Sequence, residues 1–299
     1  MIDRKAYLLS RADRNSRIVE IGPSHAPIAP KARGWQTMVV DHASADMLRQ
    51  KYAALNVDGS RIEEVDVVWT DGSIADAFPP EQHGSYDLLI ASHVIEHLPD
   101  LIGFFTSASR LLARDARIAL AVPDKRYCFD VLKPWTTTGD ILNAKGSARH
   151  NSKTSWNQII YSATADSAFA WGQHEVSEIR LISTLAHARL ALQNFSDDAT
   201  LPYRDNHAWQ FTPSSFALAI FELGVLGEID WHIADITPAI GCEFLVTLAP
   251  GAPSLSEGAV ERMRCDYLKA LVSEMAAGLA FLARASVEPA ANVDLAGSN

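Results

Sequence analysis

Between residues 17 and 122, five short apolar runs alternate with helical stretches, and this alternation constrains the fold more than any other feature of the chain. The runs are Arg17–Ile21, Thr37–Val40, Val65–Trp69, Tyr86–Ala91 and Ala116–Val122. Helical patterns over Ser44–Leu55, Ile74–Phe78 and Leu98–Leu112 fall between them. Continuous β-rich runs of this length are the signature of strands buried on both faces, and the intervening helices supply the cover. The pattern predicts βαβ units around a parallel sheet.

From about residue 134 to 205 the strand signal stops, and Ser155–Phe169 and Glu175–Asn194 read as helices. Pro213–Leu223 reads as another helix, with Thr212 as its N-cap and Pro213 in its first turn. Glu228–Ile233 and Glu243–Leu248 then read as a strand pair. A last helix runs from Glu257 to Arg284, opened by a Ser254/Glu257 capping box, before a small polar tail that frays beyond Pro289. The economical fold is α/β: a doubly wound, seven-stranded, mostly parallel sheet whose last strand is antiparallel. A helical insertion precedes the last strands and a long helix follows them. The expected units are a core at 1–133, a helical insertion or cap at 134–205, the last helix and strand pair at 206–250, and the C-terminal helix and tail at 251–299.

Twenty-six Lys and Arg against 36 Asp and Glu give a net charge of −10, with no basic run to meet phosphates. A nucleic-acid partner is therefore not expected, nor is docking on anionic lipid. The longest apolar runs, such as Phe216–Phe221, fall far short of the ~20 residues of a membrane helix. Cys128, Cys242 and Cys265 are scattered and odd in number, which excludes a disulfide framework or a zinc ribbon. The segment MIDRKAYLLSRADRNSR has no apolar signal core, and a cytoplasmic location is expected. Along the last helix, Val260, Met263, Tyr267, Leu271, Met275 and Leu279 share one face, which packs either on the domain or on a second copy in a homodimer.

An open parallel sheet binds ligands beyond the carboxyl ends of its strands, where the strand order reverses. The residues standing there are Glu20, Gly22, Pro23 and Ser24 after the first strand, and Asp41 and His42 after the second. Asp71, Gly72 and Ser73 follow the third, and Ser92, His93, Glu96 and His97 the fourth. Pro123, Asp124 and Lys125 follow the fifth. The stretches VEIGPS, VVDHAS, VWTDGS, YDLLIASHVIEHLPD and AVPD carry these residues in order over residues 15–125. In this the chain resembles the class I S-adenosylmethionine-dependent methyltransferases.

The resemblance implies S-adenosylmethionine as cofactor. Gly22, with Pro23 and Ser24, would meet its amino-acid moiety, and Glu20 its ammonium. Asp41, beside His42, would accept from both ribose hydroxyls. Asp71 would meet the adenine amino group beside the N–H groups of Gly72 and Ser73, and Ser92 and His93 would line the path beneath the sulfonium. The first loop departs from the family: Gly22-Pro-Ser-His-Ala-Pro27 has a single glycine, and the dinucleotide fingerprint G-x-G-x-x-G is absent, which counts against a nicotinamide enzyme. Each residue also has a plainer reading. Asp41 could cap the helix starting near Ser44, Asp71 could be a turn residue, and Glu96 and His97 could only fix their loop.

Two polar-aromatic segments bear on the acceptor, Pro123–Asp130 and Tyr203–Pro213. Both resemble segments in the branch of methyltransferases that accompany glycosyltransferases in bacterial surface-glycan assembly, which implies O-methylation of a sugar or glycan intermediate. A hydroxyl acceptor needs its proton removed, and histidine suits that task near neutral pH. His207 is the expected base, beside Asp124 and oriented by Asp205, with His93 as the rival. Lys125, Arg126, Tyr127, Asp205 and Trp209 are the expected substrate contacts. Asp124, Asp130, Asp205 and His207 could instead hold a divalent ion, and the metal is left open. The plainer reading of the second segment is a loop that caps the next helix, with Trp209 and Phe211 in the core. Two other readings stand beside the glycan one: methylation of a small-metabolite hydroxyl or amine, and a silent methyltransferase fold that only binds.

Overall fold

The computed structural model describes residues 2–193, 205–252 and 255–290. The strands in chain order are β1 (Arg17–Ile21), β2 (Gln36–Asp41), β3 (Val67–Val68), β4 (Tyr86–Ser92), β5 (Leu112–Pro123), β6 (Ala163–Ala165), β7 (Glu178–Leu181), β8 (Trp231–Ile236), β9 (Glu243–Pro250) and β10 (Ser286–Glu288). The helices are α1 (Arg4–Leu8), α2 (Ala45–Ala54), α3 (Leu101–Leu111), α4 (Thr138–Asn143), α5 (Ser152–Tyr161), α6 (Leu185–Gln193), α7 (Pro213–Val225) and α8 (Glu257–Leu282).

Seven strands form the main sheet in the order β3-β2-β1-β4-β5-β9-β8, with β9 antiparallel to both of its neighbours. The doubly wound, mostly parallel fold expected from the strand runs is the one observed. Period-two alternation explains how the middle strands are covered on both faces. Leu88 and Ile90 of β4 pack with Leu8, Ile18 and Ala119. Leu89 and Ala91 pack with Phe105, Phe216 and Leu223 on the other side. Chain order reverses between β1 and β4, so the ligand crevice of such a sheet opens at their carboxyl ends.

Thr212 caps α7 as expected, in a reciprocal pair with Ser215. The long helix α8 lies on α7 through Phe221 and Tyr267, whose ring centroids are 5.4 Å apart. Val260, Met263, Tyr267, Leu271 and Met275 are half-buried on its own chain, whereas Leu279 is exposed. No helix among the described residues is long and apolar enough to cross a membrane.

The insertion differs from its sequence reading. Helix α5 stops at Tyr161, and β6 and β7 follow it in antiparallel pairing. The C-terminal β10 joins β7 in parallel to complete a second, three-stranded sheet. Val131, Ala163, Ala165, Trp171, Val176 and Ile179 form its small core. β7 is four residues long, its neighbour β6 is three, and its other partner β10 lies about a hundred residues downstream, so no local pattern announces this sheet. Other boundaries move by a few residues: β3 is two residues long, α3 begins after the N-cap Asp100, and the N-cap of α8 is Ser256. Ser254, Asn194, Tyr203, Arg204 and the tail from 291 onward lie outside the described residues.

Candidate active site

At the end of β1 the chain turns back on itself through Gly22, whose φ is +63°. Its N–H donates to Val40 O at 2.8 Å, and a Cβ there would lie 3.0 Å from Val94 Cγ2. The loop after β1 is thus pressed against the loop after β4, and only glycine fits both the conformation and the space. Ser24 also has a positive φ, of 45°. Its N–H and hydroxyl approach Asp41 Oδ2 at 3.3 and 3.4 Å, while His42 N–H donates to Oδ1 at 2.8 Å. His42 Nδ1 lies 2.7 Å from the same oxygen. The helix-cap reading of Asp41 is excluded, because Ser44 itself caps α2, its hydroxyl accepting from Met47 N.

Glu20 is buried, and its two oxygens accept from Ile28 N at 2.6 Å and Ala29 N at 2.9 Å. Burial raises its pKa, and the two backbone N–H groups oppose that rise. The residue expected at the cofactor's ammonium therefore holds the loop after β1. Beyond β3, Asp71 is exposed and Gly72 has a φ of +70°. The Ser73 hydroxyl is shared with Ser107 at 2.8 Å.

Beyond β4 the backbone turns sharply at His93, with φ +53°. Its Nε2 lies 2.7 Å from Glu243 Oε2 on β9, and its Nδ1 3.6 Å from Glu96 Oε1. Arg4 of α1 reaches Glu243 at 2.8 Å and also contacts the Ser92 hydroxyl. Burial lowers the pKa of His93, but the Glu243 hydrogen bond and the charges of Glu96 and Glu243 outweigh it, and the net shift is upward.

Glu96 is fully buried, and the segment starting at Asp205 docks on its turn: Ala208 N donates to Glu96 O at 2.6 Å, and Trp209 Nε1 to Leu98 O at 2.6 Å. This docking brings His207 edge-on to His97, with centroids 4.6 Å apart. His97 Nδ1 lies 2.9 Å from Asp205, and its Nε2 3.9 Å from Glu96. The hydrogen bond from His97 pulls the Asp205 carboxyl down to about 2. His207 Nδ1 is held by Asp130 Oδ2 at 2.6 Å, and Asp130 Oδ1 by Lys133 at 2.5 Å. Burial alone would raise the Asp130 pKa, but His207 and Lys133 together bring it below the usual carboxylate value. His207 also lines a polar cleft, together with Trp135, Asn143, Asn151, Thr154, Trp209 and Gln210. The residues at the ends of β1 and β2 do not line it.

Several expected site residues are placed elsewhere. Asp124 is buried and caps the short turn that follows it, its oxygens taken by Arg126 N at 3.0 Å and by the Arg126 guanidinium. It is not the partner of His207; Asp130 is, and Asp205 braces His97 instead. Lys125 is buried, donating to Val131 O at 3.0 Å over the Trp135 ring, and burial pushes its pKa down to about 8. Arg126 is bound to Asp124, and Tyr127 packs on Phe281 of α8. Trp209 packs in the core, as the plainer reading of its segment had it, and also lines the cleft beside His207. The set Asp124, Asp130, Asp205 and His207 is split among these pairs. Among the described residues the potential ligands that converge are instead Glu96, His97 and His207. Glu96 and His97 belong to VIEHLPD, and their convergence with His207 was hidden because His207 reaches them only through the docking of a distant segment.

A family model described as a methyltransferase domain matches residues 1–168, more than half of the 299. No curated protein matches the chain. Among solved structures, the CcbJ methyltransferase from Streptomyces caelestis is 15% identical over 83% of this chain and 94% of its own, with a TM-score of 0.41. An S-adenosylmethionine dependent methyltransferase from Mesorhizobium loti is 13% identical over 81% and 95%, with a TM-score of 0.38. A chain assigned to the Zn-dependent alcohol dehydrogenases of Rhodobacter sphaeroides is 12% identical over 83% and 90%, with a TM-score of 0.46. Overlaps this loose decide nothing about activity. The match over residues 1–168 does decide the family: the chain belongs to the methyltransferase-domain family and is an S-adenosylmethionine-dependent methyltransferase.

Proposed function

We propose that the chain O-methylates a sugar or glycan intermediate of surface-glycan assembly in the cytoplasm. The observation that carries this reading is the cleft that ends on His207. Its wall of amide, hydroxyl and charged side chains with two indoles, Trp135 and Trp209, suits a ring with hydroxyls on its edge and C–H groups on its face. Gly22, Pro23, Ser24, Asp41 and His42 would hold the amino-acid and ribose parts of the cofactor, and Asp71, Gly72 and Ser73 its adenine. Ser92 and His93 would flank the sulfur. The positive φ of Gly22 supports a sharp turn at the end of β1. When bound, S-adenosylmethionine supplies an electrophilic methyl group, and transfer needs chiefly alignment and the exclusion of water.

His207 is the wall group that meets the acceptor hydroxyl. Asp130 fixes its ring through Nδ1, which would leave the lone pair on the other nitrogen. The test is a panel of sugar-nucleotide and glycan acceptors assayed for methyl transfer, with His207→Ala alongside. Methylation of a sugar hydroxyl, with turnover falling roughly a hundredfold or more in the variant and unchanged affinity for S-adenosylhomocysteine, is expected. Transfer to amines alone, or full turnover in His207→Ala, would overturn the reading.

A further inference from the structure

The acceptor and cofactor roles leave the buried Glu96 without an account. It has no exposed surface, and among the described residues neither of its oxygens accepts a hydrogen bond. A carboxylate stripped of water in this way needs a compensating charge. His97 Nε2 stands 3.9 Å from it, and the donor atoms of Glu96, His97 and His207 all lie within 4.8 Å of one another. Both imidazoles are backed by a carboxylate on their Nδ1: His97 by Asp205 at 2.9 Å and His207 by Asp130 at 2.6 Å. Such backing fixes the tautomer, raises the basicity of the other nitrogen and aims it, which is how metal-bound histidines are held.

From this arrangement we infer that Glu96, His97 and His207 form a site for a divalent transition-metal ion of the Zn²⁺ or Co²⁺ kind. The inference rests on the reading of His207 as the group that meets the acceptor, and gives that meeting a chemistry. Two imidazoles and one carboxylate suit borderline metals, whereas Mg²⁺ and Ca²⁺ prefer all-oxygen sets. Ligands about 2.0–2.2 Å from an ion stand roughly 3–3.5 Å from one another, so side-chain shifts of about 1 Å would close this set. Three protein ligands leave a tetrahedral ion one open position. His207 lines the cleft, so an acceptor hydroxyl can reach that position from there. A hydroxyl on such an ion gives up its proton to water near neutral pH far more readily than a free one.

The competing account is that protonated His93 and His97 alone balance Glu96. Full-length protein stripped by a chelator separates the two, titrated with Zn²⁺ by calorimetry and with Co²⁺ by visible absorption. The expected result is uptake of one ion per chain at micromolar concentration. Glu96→Gln and His207→Ala should each weaken it about a hundredfold, Glu96→Asp less, with S-adenosylhomocysteine affinity unchanged in all three as the check on folding. No stoichiometric uptake, or uptake unaffected by Glu96→Gln and His207→Ala, overturns the ion site. Sugar methylation in a protein that takes up no ion would overturn the site and leave the glycan reading standing. Uptake governed by these residues without any sugar methylation would support the site while removing the glycan reading.

Discussion

Asp130 and His207, seventy-seven residues apart, are joined by a buried hydrogen bond of 2.6 Å from Nδ1–H to Oδ2. Asp130 also faces the buried ammonium of Lys133 at 2.5 Å, so one carboxylate serves both orientation and charge balance. Asp130→Asn would leave Lys133 buried with its contact to Gln158 but without a counter-charge. Removing one member of a buried pair costs about 3–5 kcal/mol. Denaturant titration should show a loss of that order, and turnover should fall about tenfold to a hundredfold as His207 loses its brace. An unchanged midpoint would show that Gln158 alone satisfies Lys133.

Asp41 offers a buried carboxylate at the end of β2 that α2 does not use, because Ser44 is the cap. Hydrogen bonds to a charged group contribute about 1.5–3 kcal/mol. Asp41→Ala is therefore expected to weaken S-adenosylhomocysteine binding roughly tenfold to several hundredfold by calorimetry, with the helical circular dichroism retained. Wild-type affinity would remove Asp41 from the cofactor site.

Gly22→Ala places a Cβ at 3.0 Å from Val94 Cγ2 on a residue whose φ is +63°. The left-handed conformation costs a non-glycine residue about 1–2 kcal/mol, and the contact forces the loops after β1 and β4 apart. The unfolding midpoint should drop accordingly, and S-adenosylhomocysteine affinity should fall with it. A stable variant with normal affinity would mean that this loop does not touch the cofactor.

The sheet was legible because each buried strand carries its own apolar run, and the switch point follows from strand order alone. Asp41 and Gly22 were legible for the same reason, since they stand at strand ends. The insertion's sheet was not legible: β7 has four residues, and its neighbour β10 arrives from the far end of the chain. The pairing of His207 with Asp130 was equally hidden. Asp124 and Asp205 were nearer to hand, one at a strand end and one two residues before His207, but Asp124 is satisfied by Arg126 and Asp205 by His97. Spacing along the chain says which residues are available; only the docking of the segment 205–211 against the turn after β4 says which of them meet.

Lys125 supplies a pH test of its placement in the interior rather than at the substrate. Its ammonium is buried against Val131 O and the Trp135 ring, and burial pushes its pKa from 10.5 down to about 8. Below about pH 8 the amine is charged in both folded and unfolded chains, so the full cost of burying the charge is present. Between about pH 8 and 10.5 the folded chain has released this proton and the unfolded chain has not, so this group makes stability rise with pH by about 3 kcal/mol in total. Lys125→Met removes the titrating group while keeping an unbranched chain in the same space. The stability difference between variant and wild type, measured by denaturant titration at several pH values, is therefore expected to favour the variant most near neutrality. It should shrink by about 3 kcal/mol as the pH passes from 8 to 10.5. A pH-independent difference would show that the Lys125 amine is solvated in the folded protein and available to a ligand, as a substrate contact would be.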